Sequence, residues 1–118
     1  VMEIINVFSI TQFPLLPDYI KGVINLRGQI IPVLDMRLKL GNEQGVDTNS
    51  IKSCIIILEV NSTTLGVLVD EVFLVADVDK SAVAPPPANN KHDLITGIVE
   101  IEDMIHLIFD LSALTKVA

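Results

Sequence analysis

The apolar residues of this chain come in short bursts that either alternate with polar neighbours or run on for a few positions, and the bursts are rich in Val and Ile. The longest clear run, Cys54 to Leu58, stops at Glu59 after five residues. Period two and β-branched side chains suit strands on a pleated, half-buried surface, whereas an amphipathic helix needs a repeat near 3.6 residues and more length. The chain is therefore expected to be all-β, with about seven or eight short strands.

Glu3 to Ile10 reads as the first strand, and it starts so close to residue 1 that its sheet is expected to continue upstream in sequence. Over 13–19, Pro14 and Pro17 remove backbone donors and restrict the residues before them, which predicts a loop with a short helical turn. From Ile20 the alternation returns, placing Ile20, Ile24 and Leu26 on one face and Lys21, Val23, Asn25 and Arg27 on the other. Leu26-Arg27-Gly28-Gln29 can reverse the chain, with Gly28 supplying a positive φ. Ile30 to Asp35 returns as the partner strand, and Pro32 marks an edge or a bulge.

Met36 to Leu40 suits a short helix before Gly41, and Asn42 to Ser50 is a polar surface loop. Ser53 to Val60 and Leu65 to Ala76 form a second hairpin around Asn61-Ser62-Thr63-Thr64, apolar on both faces as a strand between packed layers would be. Asp77 to Asn90 contains Pro85-Pro86-Pro87 and should be extended. Thr96 to Glu100 pairs with Met104 to Asp110 around Ile101-Glu102-Asp103, and Leu111 to Val117 closes as a short helix.

The 118 residues fit one domain. No apolar segment approaches the roughly 20 residues of a membrane-spanning helix. No basic segment leads into a cleavage site, and Cys54 alone cannot make an internal disulfide, which favours the cytoplasm. A formal charge of -7, aromatics at 4% and no Trp oppose nucleic-acid binding and favour protein partners. Lys21, Arg27, Arg37 and Lys39 nevertheless make half of the eight basic residues, with only Asp35 among them, so a local basic strip is expected on an acidic body.

Catalytic chemistry finds little support. Cys54, His92 and His106 lack the spacing of metal ligands, and no nucleophile accompanies either histidine. Asp70-Glu71 and Glu102-Asp103 are sequence neighbours whose carboxylates would point to opposite faces of a strand, so solvated charge or turn chemistry is expected of them. The glycines form no phosphate-binding loop, and Pro14-Leu15-Leu16-Pro17 reads as a loop constraint. No catalytic residue, cofactor or metal is assigned. Arg27, at the crest of a hairpin, is open to three readings: a solvent-facing turn residue, half of an internal salt bridge, or a binding contact.

The string Gly22-Val23-Ile24-Asn25-Leu26-Arg27-Gly28, followed by Ile30-Ile31-Pro32-Val33 and Asp35-Met36-Arg37, closely resembles the signature of the CheW-like domain of bacterial chemotaxis. Ile4, Val7 and Ile10 resemble that family's second strand, Gly66 to Val72 resembles its G-[IV]-[VL]-V-D-x-V strand, and Thr96-Gly97-Ile98 with Ile108-Phe109-Asp110 and Leu114 resembles its closing hairpin and terminal helix.

The resemblance implies two packed, five-stranded SH3-like barrels forming one CheW-like domain over 1–118. It also implies an adaptor that joins transmembrane chemoreceptors to the histidine kinase CheA in cytoplasmic arrays. The receptor's helical hairpin would dock near Val7, Gly22 and Arg27; the kinase's regulatory domain would contact barrel ends for which no residue here can be assigned. Two departures matter. The family's V-x-E-I glutamate is Ser9 here, which removes one carboxylate partner for Arg27. The family's first strand and the beginning of the next, about 20 to 25 residues, would precede Val1; without them a barrel edge beside strands such as Cys54–Leu58 is left unpaired, predicting a dimer, strand exchange or dependence on an upstream segment. Rival readings are the same domain within a CheA kinase or a CheW-receiver fusion, and a small-ligand-binding β-barrel.

Overall fold

The computed structural model describes residues 3–12, 14–73, 75–86 and 95–110. The chain divides into two compact units, Val1–Leu74 and Val75–Ala118. Strands dominate both, and the architecture is all-β.

In the first unit, β1 (Glu3–Asn6), β2 (Ile20–Leu26), β3 (Gln29–Asp35), β4 (Cys54–Val60) and β5 (Thr63–Val69) form one sheet in the order β1-β4-β5-β3-β2. All neighbours are antiparallel except β3 and β5, which run parallel from Val33↔Gly66 to Asp35↔Leu68. The two edge strands then meet. Beyond β1, Thr11 exchanges both backbone hydrogen bonds with Val23 of β2, at 2.8 and 2.9 Å, which closes the sheet into a five-stranded SH3-like barrel.

This closure explains why the first strand is shorter than the expected span to Ile10. β1 pairs with β4 from Glu3↔Ile57 to Asn6↔Cys54, and Cys54 begins β4. The chain has no ladder partner over 7–10 and regains one at Thr11, on the opposite edge. β4 itself is not an edge strand, because it lies between β1 and β5 and is paired on both sides.

The barrel interior holds Ile24, Ile31, Val33, Val46, Ile55, Ile57 and Leu68, each at most 5% exposed. Burial of each such side chain is worth roughly 1.5–3 kcal/mol. β2 and β3 alternate as their sequence requires: Ile24 is buried between half-exposed Val23 and exposed Asn25, and Ile31 and Val33 flank exposed Pro32. Pro32 faces Val23 but precedes the parallel ladder to β5, so its missing N–H costs no bond there. β4 and β5 are buried along most of their length.

Tight turns join the antiparallel neighbours. Arg27 and Gly28 have φ of 51° and 84°, and Asn61 and Ser62 have φ of 51° and 65°. Two central residues with positive φ are the pattern of type I′ turns, whose twist matches that of the flanking strands. The second connection is thus two residues rather than the four expected, since the β-branched Thr63 and Thr64 extend β5. β5 also ends at Val69, short of the expected Ala76, where Asp70 bends the chain away.

The expected helix after β3 is present as α1 (Met36–Lys39), capped by Asp35. None forms over the described residues 14–19; two turns occupy the stretch, and Leu15 has φ 67°, outside the helical region.

In the second unit, a single 3-10 turn at Lys80–Ala82 is capped by the Asp79 carboxylate, and the Ser81 N–H it accepts lowers the Asp79 carboxyl below its ordinary value. β6 (Ile95–Ile101) and β7 (Met104–Phe109) form an antiparallel pair around Glu102-Asp103, again with positive φ at both. Ala84 bridges Ile98 on the far side of β6. These elements fit the second SH3-like barrel. The expected closing helix over 111–117, and Pro87 to Asn90 of the proline-rich stretch, lie outside the described residues.

Candidate functional site

Val7, Gly22 and Arg27 all lie along the seam where the first unit's sheet closes on itself. Val7 belongs to the unpaired segment after β1. It is half-buried, packs against the barrel core, and with Phe8, Ile10, Gln12, Lys21 and Thr48 lines a surface depression of about 260 Å³. The 7–10 segment gives this depression an apolar side, while Lys21 and Thr48 give it a polar one.

Gly22 is fixed by the seam itself. A β-carbon added there would stand 2.1 Å from the Thr11 carbonyl oxygen, and the residue has φ 149° at a bulge in the β2–β3 ladder. No side chain fits, because the backbone of Thr11 and Gln12 occupies the space.

Arg27 stands at the tip of the β2–β3 hairpin, whose turn is pinned by the Gly28 N–H donating to Asn25 Oδ1 at 2.9 Å. Its guanidinium donates to the Glu3 carboxylate, forming an ion pair between the hairpin tip and β1. The internal salt-bridge reading of Arg27 therefore holds, with Glu3 as the carboxylate; Ser9 is exposed. Because the arginine side chain stays 69% exposed, the pair belongs with surface ion pairs, worth roughly 0–1 kcal/mol. The clasp leaves Arg27 outward-facing and accessible.

Beside the seam lies Asp35, buried at 0% exposure. Oδ1 accepts the Leu38 N–H at 3.2 Å and so caps α1, while Oδ2 accepts the Val46 N–H at 2.9 Å and faces Lys21 Nζ at 3.7 Å. A carboxylate held by two N–H donors and an ammonium is adequately compensated for burial.

The expected basic strip is not a continuous cationic surface. Lys21 faces Asp35, Arg27 pairs with Glu3, Arg37 pairs with Asp70 at 3.2 Å, and Lys39 Nζ lies 4.0 Å over the Tyr19 ring. Folding brings distant carboxylates to bases that look unopposed in sequence. Asp70 and Glu71 are likewise drawn to separate partners, Arg37 and Lys52, and Glu102 and Asp103 make a turn.

A second depression, of about 400 Å³, lies between α1 and the end of β5, floored by Met36, Leu40, Val69 and Phe73 and spanned by the Arg37–Asp70 pair. Cys54 is buried on β4, which pushes its thiol up from the ordinary value, and His106 is half-buried on β7. His92 lies outside the described residues. Among the described residues no three His, Cys, Asp or Glu side chains converge as metal ligands would, and no helix is long and apolar enough to cross a membrane.

Glu3 and Asp35 are the site residues that sequence reasoning missed. Nothing in local spacing links Glu3 to a hairpin 24 residues away. Asp35 did carry a signal, an aspartate directly before a short helical stretch, where caps are found.

Fold and seam together define a class: a small all-β chain of SH3-like barrel architecture whose candidate site is a strand seam rather than an enclosed pocket. Within that class, the chain belongs to the CheW-like domain family, whose model matches residues 1–118. It is 31% identical over 119 residues to the chemotaxis protein CheW of Klebsiella aerogenes, covering 97% of this chain and 69% of that protein. It is 32% identical to the chemotaxis protein CheV3 of Helicobacter pylori over 97% of this chain but 38% of that protein. Among solved structures, the scaffolding protein TtCheW from Thermoanaerobacter tengcongensis matches with a TM-score of 0.87 and 37% identity, over 99% of this chain and 76% of that one. The chain is thus a member of the CheW family of chemotaxis scaffolds.

Proposed function

We propose that this domain is a non-catalytic adaptor coupling the cytoplasmic tips of transmembrane chemoreceptors to the histidine kinase CheA, in the cytoplasm at membrane-associated receptor arrays. The observation that carries this reading is the seam, which gathers Val7, Gly22 and Arg27 on one barrel and leaves the arginine exposed.

Each part has a physical task. Val7 and its apolar neighbours offer a surface for the apolar ridge of a receptor hairpin, Gly22 lets the seam close, and Arg27 presents a planar donor fork to receptor carboxylates or carbonyls. Loss of the exposed Glu3 contact costs little when Arg27 turns to a receptor group. Individual contacts can be modest, because an array holds many adaptors and receptors together and multivalency raises the effective affinity.

The test is receptor pull-down with Arg27→Asp. The variant is expected to fold and to lose about tenfold or more in binding, as loss of a desolvated arginine contact of roughly 1–3 kcal/mol implies; wild-type retention would remove Arg27 from the interface. The CheV3 match supports a second reading, in which the same domain is one part of a longer chain, a CheA kinase or a CheW-receiver fusion. The complete reading frame separates the two.

A further inference from the structure

Asp35 is the most deeply buried charged group among the described residues, and its contacts reach three separate parts of the first barrel. Oδ1 holds the first turn of α1 through the Leu38 N–H; Oδ2 holds the 41–50 loop through the Val46 N–H and faces the ammonium of Lys21 on β2. Val46, whose amide is fixed in this way, is itself in the barrel core, and Thr48 follows two residues later. Lys21 and Thr48 are two of the residues lining the depression that contains Val7.

We propose that Asp35 is a positioning residue for the Val7 depression: through Lys21 and the Val46–Thr48 segment, it sets the polar rim against which a partner helix seats. The inference rests on the reading of Val7 as a receptor contact. Gly45 supports it independently. A β-carbon there would stand 2.5 Å from Asp35 Oδ2 and 3.2 Å from Lys21 Nζ, so a side chain at this position would force the carboxylate or the loop to shift. The contact between loop and carboxylate is therefore built in from both sides. Three attachments on one buried carboxylate also make the rim rigid, since moving the loop leaves a charge without its donors.

Two variants disturb this node differently. Asp35→Asn keeps the size but removes the charge that faces Lys21 and one of the two acceptors serving Leu38 and Val46. Gly45→Ala keeps the charge and displaces the loop, and it stands in if the asparagine variant does not fold. In the full chain, Gly45→Ala is expected to speed hydrogen exchange of the Val46 amide about tenfold, and Asp35→Asn that of whichever of the Leu38 and Val46 amides faces the new NH2 group, as loss of a charge-assisted bond implies. Each should also shift the Val7 methyl and Thr48 amide resonances while leaving those of Asn61 and Ser62 in place. Affinity for a soluble chemoreceptor tip fragment should fall about tenfold, with Arg27→Asp as the reference.

Unmoved Val7 and Thr48 resonances, or shifts spread equally to Asn61 and Ser62, would overturn the positioning role. Wild-type affinity in both variants, with Arg27→Asp defective, would overturn its link to docking. If the wild-type chain does not bind the receptor fragment at all, the functional reading fails, and the resonances alone decide the part played by Asp35.

Discussion

At the scale of single residues, the seam separates what Arg27 does for the fold from what it offers a partner. Its pairing with Glu3 joins a hairpin tip to β1, yet the arginine is 69% exposed and the glutamate side chain 35%, so solvent screens the attraction. A double-mutant cycle on Glu3→Ala and Arg27→Ala should give a coupling of roughly 0.2–1 kcal/mol in denaturant unfolding, shrinking as salt is added. A coupling of several kcal/mol would make the clasp a structural necessity and would undercut the use of Arg27→Asp as a binding probe. The positive φ of Arg27 also has a cost, since a left-handed conformation disfavours any residue with a β-carbon by roughly 1–2 kcal/mol. An arginine at that position is poor turn chemistry, in keeping with a role beyond the turn.

At the scale of elements, the seam depends on the close passage of the Thr11 segment over β2. Gly22→Ala puts a β-carbon into the Thr11 backbone and imposes a φ that L side chains rarely adopt. It should destabilise the first barrel by about 1–3 kcal/mol, read as a lower denaturant midpoint, with exchange of the Thr11 and Val23 amides rising before that of β4. Uniform loss of protection would mean that the seam is not a separate element of the barrel's stability. A charged replacement at Gly22 would therefore report on packing rather than docking, a distinction that the sequence alone left open.

At the scale of the molecule, strand β4, paired on both sides, carries Cys54, buried at 8% exposure where Asn6 and Val69 flank it on neighbouring strands. Packing on the sheet face leaves the residue little exposed, so alkylation of Cys54 should follow unfolding of the first barrel and accelerate with denaturant. Burial raises the thiol pKa in the folded state. The folded chain thus holds the proton more tightly, and this contribution to stability is fully present below the ordinary thiol value of about 8.5 and is lost as pH rises through the raised one. Denaturant midpoints measured on either side of that window should fall more steeply for the wild type than for Cys54→Val. Parallel slopes would show that the thiol does not carry the effect.

Much of this protein is legible in its sequence because strands are local. Period-two runs of Val and Ile, an Arg27-Gly28 turn and an aspartate before Met36 each declare themselves within a few residues, and the ordered string around Arg27 declares the family. The sequence by itself thus determined the all-β class, the β2–β3 hairpin, the short helix after it and the kinship. Tertiary structure decided the rest. It closed the barrel through Thr11 and Val23, chose Glu3 as the partner of Arg27, scattered an apparent basic strip into separate pairs, and buried Asp35 where three elements meet. These contacts join residues whose spacing carries no periodic signal; the Thr11–Val23 bridge and the Glu3–Arg27 pair form because closing one sheet brings its two edges together, and the others because packing sets a helix, a loop and non-consecutive strands side by side.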